Sequence, residues 1–139
     1  MNILFMCVAN SARSQLAEGL AREIFPEALI QSAGSHPGKL NPFAIQVMKE
    51  IGIDISKQFS KSIDDLSPKF IVGLKFIITL CAEEVCPTMV AQGAQRFHWP
   101  FPDPASKEVL SDDVMLERFR AARDSIKARL TEFKKEVDK

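Results

Sequence analysis

The sequence predicts an α/β fold in which an open parallel sheet is covered by helices on both faces. Three observations predict it. The chain opens with strand, short loop and helix signals in immediate succession. Leu74 to Leu80 (LKFIITL) is almost continuously apolar, as expected of a strand buried on both faces of a parallel sheet. Strand and helix signals then alternate along the chain, which implies right-handed crossovers between parallel neighbours.

The elements follow in order. Asn2 to Met6 is a short apolar run with β-branched and aromatic residues, ended by Asn10-Ser11, and reads as a buried strand. Leu16, Leu20 and Ile24 repeat every four residues and Pro26 closes the segment, so a helix runs from about Ser14 to Phe25. Leu29 to Ser32 is a second strand, and Gly34 with Pro37-Gly38 marks a loop. Asn41 and Pro42 form a helix start, with Ile45, Met48 and Ile51 on one face and Gly52 as its end. Asp54 to Lys69 is polar and serine-rich and predicts loop and short turns. After Leu74 to Leu80, Ala94 to Trp99 is a further short strand, and Pro100, Pro102 and Pro104 stiffen a loop. Ser111 caps a long last helix whose apolar stripe is Met115, Phe119, Ala122, Ile126, Leu130, Phe133 and Val137.

Composition narrows the function classes. The 139 residues suit one domain spanning 1–139, with 18 basic and 18 acidic side chains and no net charge. Without a basic field, neither nucleic acid nor an anionic membrane is expected as a partner, so any anion must be held locally. The chain enters its first strand without a signal-type leader, and its richest apolar stretch, Phe70 to Ala82, falls short of the about 18 residues a membrane helix needs. Three cysteines in such a chain predict a cytoplasmic protein whose cysteines are catalytic, redox-active or metal-binding rather than structural bridges.

Sheets of this kind bind ligands at the carboxyl ends of their strands, and the first such loop carries chemistry. Cys7-Val8-Ala9-Asn10-Ser11-Ala12-Arg13-Ser14 is a C-x5-R-S pattern between a strand and a helix. A loop of this length, curling into a helix start, turns the amides of Val8, Ala9, Asn10, Ser11, Ala12 and Arg13 inward around a tetrahedral oxyanion. The Arg13 guanidinium can grip two oxygens at once. That positive surrounding favours a thiolate at Cys7, a nucleophile to which Ser14 can donate a hydrogen bond.

The segment Cys7 to Gly19, with Ser32-Ala33-Gly34, Asn41-Pro42, Asp54-Ile55-Ser56, Thr79-Leu80-Cys81, Cys86-Pro87, His98-Trp99, Asp103-Pro104-Ala105 and Phe119 to Lys127, resembles the low-molecular-weight protein tyrosine phosphatase superfamily. Within it the chain looks most like the arsenate reductases recycled by thioredoxin. The resemblance covers nearly the whole chain. It implies a four-stranded parallel sheet flanked by helices in a three-layer, flavodoxin-like architecture, with Cys7 as nucleophile, Arg13 as oxyanion clamp and Asp103 as general acid on a loop over the anion.

Both branches of that superfamily remain in view, and two features separate them. The phosphatases place tyrosines after Asp-Pro to wall an aromatic pocket, whereas this chain reads Asp103-Pro104-Ala105-Ser106 and contains no tyrosine. In the resembling reductases, cysteines placed like Cys81 and Cys86 relay oxidising equivalents from Cys7 to an external dithiol. Those enzymes put more residues between the pair than the four here, which leaves thioredoxin or glutaredoxin as donor. The expected substrate is an arsenate or phosphate oxyanion, the expected activity arsenate reduction, and the alternative a phosphatase working through a cysteinyl-phosphate at Cys7. No tightly bound cofactor is expected, and a monomer is. A zinc site from Cys81, Cys86 and His98 lacks a fourth ligand. Several such reductases hold potassium behind the anion loop. The matching positions are Asn10, Glu18 and Ser32, and Lys61 stands where an aspartate would complete the set, so its ammonium is expected to replace the ion by pairing with Glu18 and stiffening Asn10.

Overall fold

The computed structural model describes residues 1–82, 89, 91–105 and 108–138. Its sheet is built from β1 (Asn2–Cys7), β2 (Leu29–Gly34), β3 (Leu74–Thr79) and β4 (Gln95–His98) in the order β2-β1-β3-β4, all parallel. The helices are α1 (Arg13–Ile24), α2 (Pro42–Lys49), α3 (Pro68–Val72) and α4 (Asp112–Val137), with a 3-10 turn at Ile63–Asp65. The order reverses between β1 and β3, so the crevice at their carboxyl ends is the place where an open sheet of this type binds its ligand.

β1 is central, and all six of its residues are buried. Alternation along the strand sends Ile3 and Phe5 to one face and Leu4 and Met6 to the other. The first pair joins Phe76, Ile78 and the apolar faces of α1, α2 and α4 in the larger core. The second joins Ile77, Leu66, Phe70 and Leu74 beneath α3. Each fully buried side chain of this size contributes roughly 1.5–3 kcal/mol. On the larger face Phe133 stands edge-on to Phe76, Phe97 and Trp99, closing α4 over β3 and β4.

Several elements differ from the sequence expectation. β2 runs on to Gly34, and beyond it Gly34 forms an isolated parallel bridge to Ser62. The segment expected as loop holds the 3-10 turn and the start of α3. Ser62 caps the turn reciprocally with Asp65, and Ser67 accepts from the Phe70 amide with Pro68 at the first helical position. Both elements are too short to show apolar periodicity, so only their caps betray them. In α2 the core face is Ala44, Val47 and Met48, with Ile45 and Ile51 at its margin. The helix is rotated because it packs against both α1 and α4. The stripe of α4 is buried as expected except for Val137, which is half-buried, and it also includes Leu116 and Arg123. Among the described residues no helix is long and apolar enough to cross a membrane.

Candidate active site

The loop between β1 and α1 is held open from outside. The Val8 carbonyl accepts from the His36 amide, Ala9 from Gly38 and Ser11 from Asn41, at 2.9–3.0 Å. The Asn10 carbonyl accepts from Gln15 Nε2 at 3.0 Å and Ser60 Oγ at 2.6 Å, and Ala12 accepts from Leu16 within the first turn. With the carbonyls of Val8 to Ser11 engaged by neighbouring segments and side chains and that of Ala12 in the first helical turn, the loop has the arrangement that presents peptide N–H groups to a concave side. Helix α1 starts with Ala12 at its N-cap and no side-chain cap, so its first-turn amides also face the concavity. Asn10 has φ +49°, a left-handed conformation that Asn tolerates better than most residues and that bends the loop back on itself.

Gly34 makes this curl possible. A Cβ there would sit 2.4 Å from the Val8 carbonyl oxygen and 2.9 Å from both the Asn10 nitrogen and the Cys7 carbonyl oxygen. Those are backbone atoms of the loop and cannot swing aside.

Within the loop the hydrogen-bond directions are determined. The Lys61 amide donates to Asn10 Oδ1 at 2.9 Å, and a backbone N–H can only donate. That assigns the Asn10 side-chain amide, whose Nδ2 therefore donates to Ser14 Oγ at 2.7 Å. Ser14 Oγ also lies 2.9 Å from Cys7 Sγ, and with one lone pair engaged by Asn10 its hydroxyl proton is free to turn toward the sulfur. Cys7 is a free thiol, buried at the end of β1, with the Asn10–Ser14 hydrogen-bond chain ending at its sulfur.

Arg13 is 4% exposed, and its Nη1 donates to the carbonyls of Phe101 at 2.9 Å and Leu80 at 3.4 Å. Its Nη2 lies 3.9 Å from Asp103 Oδ2. The guanidinium is thus anchored to the loops after β3 and β4, and the Asp103 carboxylate stands beside it, half exposed. Asp103 Oδ1 accepts from the Ala105 amide at 3.0 Å, which curls the Asp-Pro loop tightly.

Behind the loop Glu18 is almost fully buried. Its Oε1 accepts from Ser32 Oγ at 2.6 Å and lies 3.7 Å from Lys61 Nζ, and its Oε2 pairs with Arg22 at 2.9 Å. Lys61 is held by its own amide on Asn10 and by its carbonyl, which accepts from Gly34 at 2.9 Å. The Phe59 ring covers its ammonium at 4.8 Å. Burial pushes the Lys61 ammonium below the ordinary lysine range, opposed by the pull of Glu18.

Cys81 is buried two residues beyond the end of β3 and is disulfide-bonded. Met6 pairs with Thr79, and the Leu80 amide donates to the Met6 carbonyl at 2.9 Å, so Cys81 leaves the sheet beside the strand that ends in Cys7. Cys86 lies outside the described residues. His98, at the end of β4, is 2.8 Å from Thr79 Oγ1 through Nδ1. Among the described residues no group of three or more His, Cys, Asp or Glu side chains is arranged to hold a metal ion.

Sequence reasoning passed over three supports of this site. Gln15 bridges Asn10 to the Phe59 carbonyl and accepts from Gln58 at 2.8 Å, Ser60 holds the Asn10 carbonyl, and Arg118 of α4 touches the Asp103 loop. In the sequence Gln15 is only a polar residue directly after the C-x5-R-S loop, and its complete burial emerges in the structure.

The profile of the family described as low molecular weight phosphotyrosine protein phosphatase matches residues 2–139. The chain is 42% identical over 135 residues to an arsenate reductase of Brevibacillus brevis, covering 94% of this chain and 92% of that protein. It is 40% identical over 134 residues to an arsenate reductase of Halalkalibacterium halodurans, covering 94% and 93%. Among solved structures it is similar to an arsenate reductase in the phosphate binding state, with a TM-score of 0.77 and 29% identity over 98% of each chain.

Proposed function

The chain belongs to the low molecular weight phosphotyrosine protein phosphatase family, and on that premise we propose that it reduces arsenate to arsenite through a relay of Cys7, Cys81 and Cys86. The observation that carries this reading is the position of Cys81. A buried cysteine leaves the sheet beside the strand that delivers the nucleophile, where a phosphatase has no use for one.

In the proposed cycle the amides of Val8 to Arg13 and the Arg13 guanidinium hold arsenate. The Cys7 sulfur attacks arsenic, and the displaced oxygen takes a proton from Asp103 and leaves as water. The Cys81 thiolate attacks the Cys7 sulfur. The sulfur–arsenic bond breaks with its electron pair passing to arsenic, arsenite leaves, and a Cys7–Cys81 disulfide remains. Cys86 next attacks Cys81, releasing the Cys7 thiolate and leaving a Cys81–Cys86 disulfide. An external dithiol supplies the two electrons that reset it, with thioredoxin the favoured donor and glutaredoxin the other. The reducing cytoplasm is the matching compartment, and no resident cofactor enters any step.

The second reading, hydrolysis of a phosphomonoester through a cysteinyl-phosphate, uses the same Cys7, Arg13 and Asp103 and is favoured by the family description. A thiol count separates the two. One equivalent of arsenate without reductant should lower the free thiols of the fully reduced protein from three to one, whereas a phosphatase keeps all three. Cys86→Ser should stop multiple turnovers after the first. Full arsenate turnover by Cys86→Ser with thioredoxin as sole reductant overturns the three-cysteine relay.

A further inference from the structure

The Asp103 loop is tied to α4 by one side chain. Arg118 Nε donates to the Pro104 carbonyl at 2.9 Å, and its Nη2 donates to the carbonyls of Asp103 at 3.3 Å and Ala105 at 3.4 Å. Three consecutive carbonyls thus converge on one guanidinium, while the Asp103 carboxylate points the other way, toward Arg13. The loop is not packed flush against the helix. A cleft of about 290 Å³ separates Phe101 to Pro104 from Ala121, Ala122 and Ser125, side chains too small to fill it. Pro104 is buried and Phe101 and Ala105 pack against the core, whereas Asp103 is exposed, and Arg118 is the α4 side chain that holds its backbone among the described contacts.

From this geometry we infer that Arg118 is a positioning residue for the reaction: it latches the loop so that the Asp103 carboxyl stays over the oxyanion cradle. Arginine suits the task because its planar fork donates in several fixed directions at once, and it carries its charge throughout the working pH range. Arg118 touches neither the nucleophile nor the anion loop in any described contact, so it acts through Asp103 alone. Its loss removes no described contact of the amide cradle, and Arg13 keeps the Leu80 and Phe101 carbonyls as its own anchors, so the rate of the step that needs the proton should fall more than affinity for the anion. The inference rests on the general-acid reading of Asp103 given above.

The test is a double-mutant cycle on full-length, fully reduced protein, following thiol loss in a single turnover with arsenate. Arg118→Ala should lower the rate at saturating arsenate about tenfold, a fraction of the 10²–10⁴ that a general acid supplies, with the half-saturating arsenate concentration changed less than twofold. Arg118→Lys should recover part of the loss. In an Asp103→Asn background, Arg118→Ala should cause no further slowing, because the group it positions is already gone. If Arg118→Ala keeps the full rate, or slows both backgrounds equally, the latch is overturned while Asp103 stands. If Asp103→Asn itself leaves the saturating rate unchanged, the general-acid reading fails instead. Thermal unfolding of each variant separates a weakened α4, which would lower Tm, from a displaced loop, which would not.

Discussion

Inside the core, behind the anion loop, the Lys61 ammonium lies 3.7 Å from a Glu18 carboxylate oxygen, and both side chains are less than a tenth exposed. The same carboxylate accepts from Ser32 and pairs with Arg22, while the Lys61 amide orients Asn10. Lys61 thus adds a second cation to the Glu18 carboxylate, beside Arg22, and its backbone connects that pair to the loop that holds Cys7.

If that ammonium takes the place of a bound ion, potassium and sodium should affect wild-type activity and stability equally at the same ionic strength. Lys61→Ala should cost roughly 3 kcal/mol in urea denaturation, since it leaves a buried carboxylate short of a partner. Potassium should then restore more of that loss than sodium does. A potassium-specific gain in the wild-type protein would show that Lys61 does not serve this role.

Ser14 is expected to govern the reactivity of Cys7 rather than the fold. Ser14→Ala removes the hydroxyl that contacts the attacking sulfur, and since a hydrogen bond to a charged group is worth about 1.5–3 kcal/mol it should slow the first attack on arsenate by about 10–100-fold. Ser14→Thr keeps the hydroxyl and should recover most of the rate. Stopped-flow measurement of thiol loss reads both, and equal rates for the alanine variant and the wild type would remove Ser14 from the mechanism.

Gly34→Ala should damage activity more than stability. The added methyl meets backbone oxygens and a nitrogen of the anion loop, so the loop must move as a unit. Overpacking of this kind costs about 1–3 kcal/mol, which urea denaturation will show. Arsenate turnover should fall by more than tenfold even where the protein is fully folded, because the amides lose their common focus.

Acid sensitivity should localise to the seam between α2 and α4. The Arg120 guanidinium, joined by Arg123, holds the Glu50 carboxyl well below its ordinary 4.5, at about 2. A carboxyl lowered in the folded state contributes stability that is fully present above its unfolded value and is lost as pH falls from about 4.5 toward 2. Glu50→Gln should therefore unfold at lower urea than wild type at pH 6, and the gap should narrow steadily below pH 4.5, with most of it gone as pH approaches 2. A gap that persists at low pH would mean that packing rather than charge accounts for the difference.

Strong local signals were legible in the sequence. A C-x5-R-S loop between an apolar run and an amphipathic helix declares an oxyanion cradle because the strand end, the helix start and the loop amides are contiguous. The long stripe of α4 and the apolar run of β3 are equally direct, since periodicity reports burial over many residues. The short turn at Ile63–Asp65 and α3 were hidden, because one or two turns bear caps but no period. Other features were decided only by tertiary structure. Gly34 is required by a loop more than twenty residues earlier in the chain, and the face of α2 is chosen by two helices that meet it from different parts of the chain. Arg118 reads in sequence as a solvated arginine on a polar face, and becomes a latch only when the Asp103 loop folds back across α4. Each of these depends on contacts between segments far apart in the chain, and no local propensity or spacing encodes the distance between two backbones that meet only after the sheet has formed.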